Sequence, residues 1–188
     1  MADGIVSLGE GAYEVLSVDA MRRLGYELGR LLADGDVVVL TGDLGAGKTQ
    51  LAKGVARAMG VRDEVTSPTF NIQMAYQGRD MPLFHFDLYR LTGADELEDT
   101  GIFDVLGDGV CLIEWGEAYE RLFGEERLDV HVARMGDEAA EGEEPPRRVS
   151  LVSHDPRSAA VVEQLAARLG DAHGERSGAD APGEGAER

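Results

Sequence analysis

Cysteine is nearly missing from this 188-residue chain. Cys111 stands alone, which excludes an intrachain disulfide and any metal site built from several thiolates. It lies in the apolar run Val110-Cys111-Leu112-Ile113, where a free thiol reads as a small core side chain. Lysine is almost as scarce: Lys48 and Lys53 are the only two, and 18 basic residues face 36 acidic ones for a formal net charge of −18. Such a chain is not an obvious nucleic-acid binder by itself, because phosphate contacts need Lys and Arg. If its role concerns nucleic acid, a partner is expected to hold it. The four histidines, His85, His131, His154 and His173, are dispersed, with no pair at metal-ligand helical spacing. No segment approaches the roughly 20 apolar residues of a membrane span. Asp3 and Glu10 interrupt a weakly apolar start, so no signal peptide is expected, and the expected location is cytoplasmic.

What the chain does have is Gly42-Asp43-Leu44-Gly45-Ala46-Gly47-Lys48-Thr49, which fits the phosphate-loop pattern G-x-x-x-x-G-K-[ST]. Val37-Val38-Val39-Leu40 before it is a short apolar run of the buried-strand kind. After it, Leu51, Val55 and Met59 recur at helical spacing. A strand, a glycine loop and a helix N-terminus together make an anion site, with backbone N–H groups pointing inward and the helix dipole favouring negative charge. The pattern assigns Gly42 through Gln50 to the nucleotide. Lys48 is expected on the β and γ oxygens and the Thr49 hydroxyl on Mg²⁺. A plain glycine turn would not require Lys-Thr at the helix start. Asn71, the only asparagine, is followed by Ile72, so the Asn-Lys-x-Asp motif that reads guanine is missing and ATP is the expected nucleotide.

The 43% hydrophobic content supports one core of ordinary size. Residues 1–155 read as one domain and residues 156–188 as a C-terminal helix with a disordered tail. A strand is expected at 13–16. Ser17 or Asp19 would cap a helix reaching to about Ala33. Further strands are expected over 70–77, 81–86, 110–113, 128–132 and 149–152, with broken helix over 95–106 and a short helix over 117–123. The stretch Thr66-Ser67-Pro68-Thr69 cannot be regular helix at Ser67 and Pro68. The acidic run at 136–146 reads as a solvated loop, and the tail from about 171 has no apolar period.

A nucleoside-triphosphate site needs carboxylates at the carboxyl ends of strands near the phosphate loop. Glu114 ends Val110-Cys111-Leu112-Ile113 in a Walker-B-like pattern, and Asp87 ends Leu83-Phe84-His85-Phe86. Each could instead be an acid that merely terminates a strand. Thr69 is a candidate switch threonine or a turn residue. Trp115, the only tryptophan, suits the core, an interface or the nucleotide site. Arg90 could neutralise phosphate or pair with Asp87.

Taken together, Leu40 to Thr49, Val65-Thr66-Ser67-Pro68-Thr69-Phe70, His85-Phe86-Asp87-Leu88-Tyr89-Arg90-Leu91 and Leu112-Ile113-Glu114-Trp115 resemble the TsaE (YjeE-like) family, small bacterial ATPases of tRNA threonylcarbamoyladenosine synthesis. The similarity covers roughly residues 10–153. It implies an α/β P-loop NTPase domain with a central mixed, partly parallel sheet flanked by helices. It further implies that Lys48 binds phosphates, that Thr49 and Glu114 bind Mg²⁺, and that Thr69 belongs to a switch-like loop. Asp87 is implied to be needed for hydrolysis, and Trp115 to lie near the nucleotide. The implied partners are TsaD and TsaB, with tRNA met only through them. Gly116 stands where the family often has proline, a difference of local turn geometry. A small-molecule kinase and a non-hydrolysing nucleotide switch remain the competing readings of the same loop.

Overall fold

A computed structural model describes residues 4–68, 71–136 and 145–170. In chain order these form β1 (Ile5–Gly9), β2 (Ala12–Val15), α1 (Val18–Gly29), β3 (Val37–Thr41), α2 (Lys48–Ala58), β4 (Gln73–Gln77), β5 (Pro82–Asp87), α3 (Ala94–Asp99), α4 (Ile102–Val105), β6 (Val110–Glu114), a 3-10 helix (Gly116–Leu122), β7 (Leu128–Arg134), β8 (Arg147–Ser153) and α5 (Pro156–Leu169). The strands make one mixed sheet in the order β1-β2-β8-β7-β3-β6-β5-β4. At its centre β7, β3, β6 and β5 run parallel, and antiparallel strands extend both edges. The architecture is α/β, a P-loop fold with helices on both faces.

The apolar run of β3 shows why the sheet is covered twice. Strand side chains alternate between faces. Val38 and Leu40 enter one core with α1, α2 and α5, while Val37 and Val39 enter a second with Leu97 of α3 and Ile102 of α4. Buried on both sides, the strand has no need of polar residues. Each such side chain contributes about 1.5–3 kcal/mol on burial. Helix α5 joins the first core through Val161 and Leu165.

Helix α1 begins where Ser17 Oγ accepts from Ala20 N at 3.1 Å, which settles the cap on Ser17 and not Asp19. The helix ends at Gly29 instead of running to Ala33; Leu31 N bonds to Leu28 O in a tighter turn. It packs unusually close to α2, since a Cβ on Gly25 would sit 2.1 Å from Leu51 O. The expected broken helix at 95–106 is two short helices, α3 and α4, parted at Gly101, whose φ of 73° suits glycine. Strand β4 starts at Gln73, later than the expected residue 70, and Ile72 before it has a φ of 62°. Strand β1 was not expected at all; Ile5–Gly9 has one buried residue, and its pairing with β2 supplies the structure that its pattern does not announce.

Candidate functional site

Register brings the expected residues together. Leu40 of β3 pairs with Glu114 of β6, and Glu114 pairs with Asp87 of β5. The carboxyl ends of three parallel strands therefore meet at the start of α2. There Gly42-Asp43-Leu44-Gly45-Ala46-Gly47 turns the chain. Gly42 has φ 128°, and a Cβ on it would lie 2.0 Å from Val132 O, so no other residue fits. Gly47, at φ 118°, is the N-cap of α2 and makes no side-chain bond, leaving the first-turn N–H groups without a capping side chain.

Lys48 is the first residue of α2 and is almost fully buried. Its Nζ donates to Gly42 O at 2.6 Å and Asp43 O at 3.1 Å, and lies 3.7 Å from the centroid of the Trp115 ring. Burial pushes this ammonium below the ordinary lysine range, against the pull of Glu114, Glu117, Asp87 and Asp43. Thr49 Oγ1 donates to Glu114 at 3.0 and 3.2 Å, joining residues 65 positions apart. The bond directs the hydroxyl hydrogen at the carboxylate and leaves its lone pairs available. His85 Nε2 lies 2.9 Å from the same Glu114 carboxylate. Asp87 Oδ2 accepts from Ser67 Oγ at 2.7 Å, and its Oδ1 from Tyr89 N at 3.1 Å.

Lys48, Thr49, Glu114 and Asp87, with Ser67 and Tyr89, line a cleft of about 590 Å³. Of the residues expected from sequence, Leu44 to Gln50, Asp87, Glu114 and Trp115 line it. Gly42 and Asp43 stand behind it and act through the carbonyls that hold Lys48. Gln50 also accepts from Arg22 Nε at 2.8 Å. Trp115 adopts φ 62°, rare for a tryptophan, with its N–H bonded to Leu40 O at 3.0 Å and its ring 4.9 Å from that of Tyr89. Arg90 is exposed and is not among the lining residues. Thr69 lies outside the described residues, as do 137–144 of the acidic run and the tail from 171.

The cleft also holds residues the sequence did not mark. Arg134 and Arg147 are register partners on β7 and β8, and both line it. Arg147 Nε donates to Ala46 O at 3.2 Å, and Arg134 reaches Gly45 O at 3.4 Å. Val15, Val18 and Met21 supply an apolar wall. Only the pairing of β7 with β3 and of β8 with β7, which no local pattern encodes, could have found Arg134 and Arg147.

The donor set suits a hard cation. A hydroxyl and a carboxylate offer oxygen ligands, as Mg²⁺ requires. Among the described residues, no group of three or more His, Cys, Asp or Glu side chains could hold a metal alone. Mg²⁺ usually takes one or two protein oxygens and completes its shell with phosphate and water.

The family model for the threonylcarbamoyl adenosine biosynthesis protein TsaE matches residues 15–142, more than half of the chain. The chain belongs to the TsaE family. It is 46% identical over 125 residues to the tRNA threonylcarbamoyladenosine biosynthesis protein TsaE of Streptomyces coelicolor, covering 64% of this chain and 84% of that one. Against the TsaE of Bacillus subtilis it is 45% identical over 108 residues, 57% of this chain and 67% of that one. The crystal structure of Bacillus subtilis YdiB superposes with a TM-score of 0.67 at 31% identity, covering 85% of this chain and 95% of that one. The matched family region holds the loop, Asp87 and Glu114, and so most of the cleft. Among the described residues, no helix is long and apolar enough to cross a membrane.

Proposed function

We propose that the chain is a partner-dependent Mg²⁺-ATPase that supports threonylcarbamoyl transfer to adenosine 37 of tRNA together with TsaB and TsaD. The observation that carries this reading is the Thr49–Glu114 hydrogen bond beside Lys48 and Asp87 in one cleft. Membership of a family whose relatives bear the name tRNA threonylcarbamoyladenosine biosynthesis protein supports the pathway.

In this reading the N–H groups at the start of α2 and Lys48 take the phosphates of ATP. Lys48 would exchange its two carbonyl partners for phosphate oxygens, and a neighbouring polyanion favours its charged form. Thr49 and Glu114 would hold Mg²⁺, which when bound supplies positive charge that neutralises phosphate oxygens. Asp87, its carboxylate oriented by Ser67 and Tyr89 N, would position the attacking water and draw on its proton. The apolar wall of Val15, Val18 and Met21 suits a base, and Arg134 and Arg147 add positive charge at the loop. Thr69 keeps the switch role that the family resemblance implies. The exposed rim agrees with dependence on partners: Leu44 is 73% exposed and Tyr89 55%, apolar surface that a docked protein would cover.

Hydrolysis of ATP measured with the chain alone, and again with TsaB and TsaD, tests the reading. Mg²⁺-dependent phosphate release that rises with both partners is expected. No release under any of these conditions would leave a non-hydrolysing switch, and a phosphorylated small-molecule product would point to a kinase.

A further inference from the structure

His85 is fully buried on β5, on the sheet face that also carries Asp87 and Glu114. Its neighbour on that face, Leu83, is an ordinary core residue, so an apolar side chain would meet the demands of packing at this depth. A polar ring there must be matched by a bond worth its desolvation. That bond runs from Nε2 to Glu114 Oε1 at 2.9 Å, while Nδ1 has no hydrogen-bond partner among the described residues. The two facts select the tautomer. A hydrogen on Nδ1 would bury an unmade donor and set a nitrogen lone pair against a carboxylate oxygen. A hydrogen on Nε2 makes the bond and leaves over only an acceptor.

We propose that His85 is the positioning residue of Glu114, donating from Nε2–H to Oε1 and so fixing the carboxylate assigned above to Mg²⁺; the identity of the ion rests on that assignment. Among the described residues Glu114 has two side-chain donors, and they do different things. Thr49 Oγ1 lies 3.0 and 3.2 Å from the two oxygens and hardly distinguishes them. His85 engages Oε1 alone and commits that oxygen to the protein. Oε2 keeps the greater capacity for a cation. The flexible glutamate is thereby held in one orientation before any ligand arrives, which is how hydrogen bonds behind a metal ligand raise its affinity. Strand β5 thus serves the site twice, through Asp87 directly and through His85 from beneath.

Two measurements on the full chain test the proposal. Long-range proton–nitrogen correlation spectra of the wild type report which ring nitrogen carries the hydrogen. Nε2 is expected, and a hydrogen on Nδ1 overturns the proposal whatever the protein binds. ATP affinity of His85→Leu and His85→Gln is then measured in Mg²⁺ and in EDTA, alongside thermal midpoints. His85→Leu should weaken binding in Mg²⁺ about tenfold or more and leave binding in EDTA unchanged. His85→Gln, which keeps an N–H donor, should recover most of the loss. Equal losses in both solutions, or no recovery in a glutamine variant that melts like the leucine one, overturn the proposal. If either variant fails to fold, the tautomer decides. A wild type whose ATP affinity ignores Mg²⁺ overturns the metal assignment and this role with it. A Nδ1 hydrogen in a protein that does respond to Mg²⁺ overturns the role of His85 alone.

Discussion

At the amino end of the parallel strands, charges are matched. Arg127 bonds to Asp129 at 2.9 Å, His154 to the same Asp129 at 2.5 Å, and Arg157 to Asp36 at 2.7 Å. Asp155 caps α5 by accepting from Arg157 N and Ser158 N. At the carboxyl end the balance differs. Lys48 is buried among Glu114, Asp87, Asp43 and Glu117, yet its donors go to backbone carbonyls and not to any of them. Glu114 and Asp87 are held by hydroxyls, a backbone N–H and an imidazole instead. A pairing that satisfies itself stabilises a fold. Carboxylates and an ammonium held close, each bonded to neutral groups instead of to one another, suit a cation and a polyphosphate.

The comparison can be broken most forcefully at Lys48. Lys48→Ala should slow ATP hydrolysis by about 10²–10³-fold, while circular dichroism shows the fold intact; a rate near that of wild type would remove the loop from the chemistry. Glu114→Ala should lower ATP affinity in Mg²⁺ about tenfold or more, with a smaller loss in EDTA. It also strands the donors of Thr49 and His85, at a cost of about 1–3 kcal/mol in denaturant titrations.

At the opposite end, Asp155→Ala should cost about 1 kcal/mol of stability and leave hydrolysis unchanged. Burial works against the ionised Asp155, but hydrogen bonds from Ser158 and Arg157 outweigh it and hold its carboxyl below the usual aspartate range. A depressed carboxyl contributes stability above its unfolded value of about 4 and loses it as pH falls through the folded value. The gap between wild type and Asp155→Ala should therefore narrow in acid. The smallest effect is expected in the second core. Burial, with Asp108 adding, pushes the Cys111 thiol up to about 12, so native protein should resist iodoacetamide at mildly alkaline pH and unfolded protein should not.

Much of the carboxyl end was legible because it is written locally. The phosphate loop, the apolar β3 before it and the acids closing β5 and β6 are each contiguous patterns, and parallel strands that end together must bring Asp87 and Glu114 side by side. Arg134 and Arg147 were not legible: they reach the loop from about 90 and 101 positions away through the pairing of β7 with β3 and β8. His85 was visible as part of a motif, but its bond to Glu114 depends on the alignment of β5 and β6. Strand β1 escaped because its pattern Ile5-Val6-Ser7-Leu8-Gly9 is mostly solvent-facing, and only its pairing with β2 makes it a strand. The chain is acidic as a whole; of the cations at the loop, Lys48 is placed by the local motif and Arg134 and Arg147 by topology.

The most direct measurement is calorimetric titration of ATP into wild type and Lys48→Ala, each in Mg²⁺ and in EDTA. Wild type should bind ATP more tightly in Mg²⁺ than in EDTA, and Lys48→Ala should lose binding in both. Binding that is indifferent to Mg²⁺ and to Lys48 would contradict a Mg²⁺-nucleotide site at the carboxyl end of the sheet.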